Sequence, residues 1–188
     1  MGLDDRRERD RVYRAAEDSA LLATAAVAAA EPTDRVLDVG TGSGHVAARM
    51  GETGARVVGA DRNPHACREA RDAGIDTVRA DLTSVFAADA FDLVTFNPPY
   101  LPTEPDEAVD DWMGVALSGG ETGRAVIEPF LADVGRVLAP GGRVLLLVST
   151  LSGVEAVVDR AADAGFASET VAEESFPFET LSVLRLSR

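Results

Sequence analysis

The run Phe91-Asp92-Leu93-Val94-Thr95-Phe96 ends abruptly at Asn97-Pro98-Pro99-Tyr100, and no other stretch constrains the fold as much. A short apolar run rich in β-branched and aromatic residues reads as a buried strand, and two consecutive prolines cannot continue it. Strands buried on both faces belong to parallel sheets covered by helices. Such sheets hold their ligands beyond the carboxyl ends of the strands, where Asn97 stands. Proline fixes φ at about −65° and has no N–H. The turn is therefore stiff, and it leaves the carbonyls of Asn97 and Pro98 available as acceptors beside a side-chain amide.

The rest of the chain alternates in the way this sheet requires. Arg35-Val36-Leu37-Asp38-Val39 is the first predicted strand. Arg56 to Ala60 is the second, ending in Asp61; Ile75 to Ala80 is the third; Phe91 to Phe96 is the fourth. After the tight turn Ala139-Pro140-Gly141-Gly142 comes the all-apolar central strand Arg143 to Val148. Strands 168–175 and 180–186, joined through Phe176-Pro177-Phe178, close the chain as a hairpin. Between them lie an alanine-rich helix ending before Pro32, which Asp18 or Ser19 can cap, and a helix from about His45. A further helix is opened by Asn63-Pro64, another reaches about Leu138, and the last runs from about Val154 to Ala164 and stops at Gly165. This predicts an α/β, Rossmann-like fold. Its seven-stranded, mostly parallel sheet has helices on both faces and a C-terminal antiparallel hairpin. The charged residues 1–12 are expected to form a mobile arm, and residues 13–188 one domain.

The turn after the first strand, Gly40-Thr41-Gly42-Ser43-Gly44, lets backbone approach a ligand just before a helix N-terminus. A dinucleotide fingerprint would need glycine at position 45, where His45 stands. Asp38-x-Gly40-x-Gly42-x-Gly44 instead resembles the S-adenosylmethionine loop of class I methyltransferases, with Thr41 inside it and Asp38 available to the cofactor's ammonium. Asp61, about 20 residues beyond the glycine turn, stands where a carboxylate can accept both hydroxyls of a ribose diol. Asp81 can accept from an adenine amino group, and the Leu82 N–H can meet a ring nitrogen. His45 and His65 have no matching ligand set, and the single Cys67 can build neither a disulfide nor a cysteine metal site. No resident metal is expected.

Asn97-Pro98-Pro99-Tyr100 resembles the substrate motif of methyltransferases that act on planar NH2 groups, the amide of glutamine or the exocyclic amine of adenine. The resemblance extends over nearly the whole chain. Tyr13 and Glu17-Asp18-Ser19 are similar to the segment that precedes the cofactor domain in HemK-type glutamine methyltransferases of archaea and eukaryotes, with Ala15 where that family has proline. There the acidic and hydroxyl residues lie against the methionine end of the cofactor. Gly119-Gly120-x-x-Gly123-Arg124 and the closing Glu179-Thr180-Leu181-Ser182 fit the same family. The resemblance implies methylation of the glutamine of a Gly-Gly-Gln loop in a peptide chain release factor. Asn97 and the Pro98 carbonyl would accept the amide N–H groups, and Pro99, Tyr100 and Trp112 would shape the slot. By its length alone, the acidic loop from Thr103 to Asp111 can act as a lid or as a substrate rim. The resemblance also implies a small zinc-binding activator protein that adds a strand at the sheet edge near Ile75 to Ala80. Methylation of adenine in DNA or RNA, methylation of a protein lysine, and a non-catalytic cofactor-binding subunit are the alternatives.

Charge bears on these alternatives. The net charge is −14, and all 18 basic residues are arginine. Such a surface disfavours a nucleic-acid partner, whose phosphates need neutralising. Because the acid is spread along the chain rather than gathered in a tail, it also suits solubility in a salt-rich cytoplasm. A halophilic, archaeal source is the expectation. No apolar run approaches the roughly 20 residues that a membrane helix needs, and the expected location is the cytoplasm.

Overall fold

The computed structural model describes Val12, residues 16–104 and residues 111–188. Most of the expected arm, Tyr13, Ala15 and residues 105–110 of the acidic loop lie outside the described residues. Val12 is buried.

Seven strands form one sheet in the order β3-β2-β1-β4-β5-β7-β6. They are β1 (Arg35–Val39), β2 (Arg56–Asp61), β3 (Asp76–Arg79), β4 (Phe91–Phe96), β5 (Leu138–Ser149), β6 (Ala167–Ser175) and β7 (Thr180–Ser187). The first five are parallel, and β7 pairs antiparallel with both β5 and β6. The helices are α1 (Glu17–Ala29), α2 (His45–Gly51), α3 (Pro64–Asp72), α4 (Trp112–Leu117), α5 (Ile127–Val137) and α6 (Val154–Asp163). The mostly parallel sheet with its closing hairpin is the one expected from the sequence.

Side chains alternate across a strand, and β5 shows the result. Val144, Leu146 and Val148 join the core beneath α5 and α6, with Phe130, Val134 and Val157. Leu145 and Leu147 enter the opposite core, with Leu22 and Ala26 of α1 and Val46 and Met50 of α2. An all-apolar strand is thus a strand covered on both faces. The closing hairpin supplies Leu184 and Leu186 to the first core, and Leu181 and Val183 to the second.

Three local expectations are corrected, and one element is added. Ala139-Pro140-Gly141-Gly142 does not separate helix from strand: β5 begins at Leu138, directly after α5. The extra residues form a bulge, with the register passing from Phe91 opposite Leu138 to Leu93 opposite Arg143. Neither Asp18 nor Ser19 caps α1. Ala16 is the N-cap and makes no side-chain cap bond, and Asp18 lies in the first turn, where its Oδ1 accepts the Ser19 N–H at 2.6 Å. The third strand is shorter than read: β3 is an edge with Val78 exposed, but Ile75 lies before it and is half-buried. Finally, Trp112 opens a short helix, α4, which was not expected. Its one sequence signal is Asp111, whose carboxylate caps the Gly114 N–H at 2.7 Å.

At the opposite end of the sheet from Asn97, Arg143 ties three segments together. It donates to Asp34 Oδ2 at 2.7 Å, to the Ala29 carbonyl at the end of α1, and to the Asp92 carbonyl at 3.3 Å. Asp34 is only 6% exposed, so Arg143→Met strands a buried carboxylate. The expected cost is about 3 kcal/mol, lowering Tm by about 6–12 °C in a melt at pH 7. Arg185→Met, which breaks the exposed pair with Glu169, is expected to cost less than about 1 kcal/mol.

Candidate active site

The carboxyl ends of β1, β2 and β4 open on a cavity of about 800 Å³, within the range for a cofactor or drug-sized ligand. β1 and β4 are adjacent although their chain connections leave in opposite directions. This is the topological switch point at which open α/β sheets bind ligands.

The glycine turn forms one wall. Gly40 and Gly42 have φ of 63° and 55°, a region that a Cβ disfavours, and Gly40, Thr41, Gly42 and Ser43 all line the cavity. Thr41 N–H donates to the Ala60 carbonyl at 3.0 Å, and Gly42 N–H donates to Asp61 Oδ2 at 2.9 Å. The turn is therefore hung from the end of β2. Gly44 lies off the cavity. A Cβ there would come within 3.1 Å of Ile75 and 3.3 Å of Ala70, so its smallness allows the close approach of α3.

Asp38 lines the cavity beneath this turn and is almost fully buried. Its Oδ2 accepts the Thr41 hydroxyl at 2.7 Å, and its Oδ1 accepts that of Thr95 at 2.8 Å. Burial dominates over these hydroxyls and pushes the carboxyl up to about 6. A carboxylate strained in this way suits a cationic ligand. Asp61 is also raised, by burial; its Oδ1 takes the Asn63 N–H at 2.8 Å while its Oδ2 holds Gly42. The Arg62 N–H also bonds to this carboxylate, which keeps remaining lone-pair capacity for a ribose hydroxyl.

The third acid, Asp81, and Leu82 line the far end of the cavity. Leu82 has φ of 49°, an uncommon conformation for a branched residue that the surroundings must enforce. The surroundings are residues that sequence reading missed. Thr83 is fully buried and donates from Oγ1 to Asp133 Oδ2 at 2.6 Å. Arg136 grips Asp133 through two nitrogens and donates to the carbonyls of Thr83 at 3.1 Å and Phe86 at 2.7 Å. The Arg136 and Thr83 bonds hold the Asp133 carboxyl down, to about 2. A clamp linking α5 to a loop 50 residues earlier leaves no local pattern to read.

At the end of β4, Asn97 and Pro99 line the main cavity. Asp18, Asn97, Pro98, Pro99 and Tyr100 line a narrow slot of about 50 Å³ beside it. Asn97 Nδ2 donates to Asp18 Oδ2 at 3.1 Å and to Ser19 Oγ at 3.3 Å. Its Oδ1 is buried and has no partner among the described residues. Asp18 is therefore brought to Asn97 across 79 residues of chain, and Ser19 also reaches the main cavity. Glu17 is exposed and lines neither space. Burial raises the Tyr100 phenol above its ordinary range, helped by the charges of Asp18 and Glu179. Trp112, Val115 and Ala116 of α4, with Val126 and Pro129, close the remaining side. Among the described residues no group of three or more His, Cys, Asp or Glu could hold a metal.

A buried aspartate beneath the glycine turn, with acids at the two following strand ends, fits a cofactor carrying an ammonium, a ribose and an adenine. Such a cleft at the β1–β4 switch point marks the class I, S-adenosylmethionine-dependent methyltransferases. Residues 36–120 match the methyltransferase-domain family. A relative from Methanocaldococcus jannaschii, named as a protein N5-glutamine methyltransferase, is 35% identical over 94% of this chain and 92% of its own length. Human methyltransferase HEMK2 is 31% identical over 94% and 90% of the two chains. The structure of the E. cuniculi Mtq2–Trm112 complex, responsible for methylating the eRF1 translation termination factor, matches with a TM-score of 0.78 and 28% identity. That match covers 95% of this chain and 99% of the matched one. The chain belongs to the HemK-type family of protein glutamine methyltransferases.

Proposed function

We propose that this enzyme methylates the side-chain amide nitrogen of the glutamine in the Gly-Gly-Gln loop of a peptide chain release factor. The observation that carries this reading is the Asn97 amide. Its nitrogen is engaged by Asp18 and Ser19, while its oxygen is buried and has no partner among the described residues. A buried acceptor of this kind calls for a donor, and a planar NH2 group supplies one. S-adenosylmethionine supplies an electrophilic methyl on sulfonium. Asp38 would hold the ammonium, Asp61 the ribose, and Asp81 and Leu82 the adenine. An amide nitrogen is a poor nucleophile because its lone pair is delocalised. Asn97 Oδ1 and the Pro98 carbonyl would fix it and stabilise the positive charge that develops as the N–C bond forms and the S–C bond breaks. The sulfur would leave as a neutral thioether, and the amide proton would pass to solvent. Holding the nitrogen in line supplies much of the remaining acceleration, about 7–11 kcal/mol for well-oriented reactants. The acidic chain disfavours the adenine alternative in DNA or RNA.

The activator that adds a strand to β3 belongs to the same proposal. It is supported by the exposed edge with Val78 38% exposed, and by the Trm112 partner of the Mtq2 structure. The test is methyl transfer to a release factor, with and without that activator, read by peptide mass spectrometry. A methyl on the loop glutamine supports the reading, and a methyl found only on adenine or lysine acceptors overturns it. The lysine-free acidic surface supports a salt-rich, archaeal source; greatest stability at low salt would count against it.

Cofactor affinity is expected to depend on pH through Asp38. The free carboxyl titrates near 6, and only its anion pairs with an ammonium. Cofactor binding therefore competes with a proton below that value and not above it. From pH 7 to pH 5 the dissociation constant is expected to rise about tenfold. Calorimetry across this range checks it, and a flat profile would remove Asp38 from the ammonium site.

A further inference from the structure

We propose that Asp18 is a positioning residue that decides which end of the Asn97 amide meets the substrate. The inference rests on the substrate reading above and adds a role to the start of α1. An asparagine amide has a donor end and an acceptor end of nearly equal shape, and a substrate that brings N–H groups can use only the acceptor. Nothing in Asn97-Pro98-Pro99-Tyr100 itself makes that choice.

Asp18 makes it. An ionised carboxylate accepts and never donates, so the Asn97 group facing it must be the NH2. The carboxylate has little freedom to turn away. Asp18 is 5% exposed, its Oδ1 accepts the N–H of Ser19 at 2.6 Å, and its Oδ2 takes Asn97 Nδ2 at 3.1 Å. Ser19 Oγ takes the same nitrogen at 3.3 Å. The helix carrying both residues is fixed by Leu22, Ala23 and Ala26 in the core. Turning the amide over would set Asn97 Oδ1 against the carboxylate. The observed orientation leaves Oδ1 buried and without a partner among the described residues, ready for an incoming N–H. The charge on Asp18 also polarises the amide, so that Oδ1 becomes a stronger acceptor as the substrate nitrogen turns positive. Asp18 lines the slot beside Tyr100, next to the amide that it holds.

The test is a reciprocal exchange: Asp18→Asn, Asn97→Asp and the double variant, assayed on the glutamine substrate with cofactor affinity measured for each. Asp18→Asn lets either amide end face position 18, and kcat is expected to fall about 10- to 100-fold with cofactor affinity nearly unchanged. Asn97→Asp sets two carboxylates against each other and is expected to fall at least as far. The double variant again places a donor at 18 and an acceptor at 97, and is expected to recover at least about tenfold over Asn97→Asp. Losses that simply multiply in the double variant would overturn the proposal. So would an Asp18→Asn loss that appears as weaker cofactor binding at unchanged kcat.

A measurement on the wild-type protein needs no turnover. The chain has two asparagines, Asn63 and Asn97, so two side-chain NH2 pairs appear after selective ¹⁵N labelling. The Asn97 pair is expected to be protected from exchange without substrate. Exchange as fast as that of a free amide would overturn the lock. If the pair is protected but no glutamine is methylated, the substrate reading fails and the lock stands.

Discussion

Asn97→Ala is expected to lower kcat for methyl transfer by about 10²–10³-fold while leaving cofactor affinity within a few-fold. That is the scale on which a single preorganised group acting on transition-state charge contributes. The variant removes the acceptor at Oδ1 and releases Asp18 and Ser19 from Nδ2, but it touches neither Asp38 nor Asp61. The loss therefore belongs in the chemical step, with kcat and kcat/KM falling together. The control is calorimetric binding of S-adenosylmethionine to wild type and variant. A variant that binds cofactor normally and turns over within tenfold of wild type would show that the Asn97 acceptor contributes little. A variant that loses cofactor as well would place Asn97 in the cofactor site instead.

The sheet and the strand-end residues were legible in the sequence because their signals are local. Phe91 to Phe96 is stopped by prolines, Arg143 to Val148 is apolar throughout, and Gly40 to Gly44 directly follows a strand. Each of these needs only its neighbours to be understood. The Asp133–Arg136 clamp on Thr83 was not legible, because it joins residues 50 apart through side chains that look like an ordinary helix-surface pair. Asp18 was visible as a motif residue but not as a partner of Asn97, since only the packing of α1 on the second core brings the two together. α4 escaped because it is six residues long, contains Gly114 and has no buried face. The bulge after Leu138 was read as a turn because proline and glycines mark both, and only pairing with β4 distinguishes them.

Gly123→Ala is expected to damage the site from behind and to show why Gly119-Gly120-x-x-Gly123-Arg124 follows Asn97-Pro98-Pro99-Tyr100 in this chain. Gly123 has φ of 71°, and a Cβ there would lie 2.5 Å from the Tyr100 carbonyl oxygen and 3.1 Å from Ser152 Cα. Both obstacles are backbone, which cannot swing aside as a side-chain tip can. The segment is also hydrogen-bonded to the exit of the turn. Leu101 N–H donates to the Leu117 carbonyl at 3.1 Å, Gly119 N–H to Leu101 at 2.8 Å, and Thr103 N–H to Gly120 at 3.0 Å. Arg124 anchors it by donating to the Ser152 carbonyl at 2.6 Å. A left-handed alanine costs about 1–2 kcal/mol and overpacking about 1–3 more. Together these lower Tm by about 4–20 °C. Where the protein remains folded, the strain falls on the Tyr100 carbonyl and hence on the turn that carries Asn97. Turnover is therefore expected to drop more than cofactor binding. Gly141→Ala is the matched control: its φ of 78° carries the same conformational cost, but a Cβ meets nothing within 4 Å. It is expected to lose about 1–2 kcal/mol and keep its activity. Equal effects of the two substitutions on turnover would mean that the glycine segment does not brace the substrate turn.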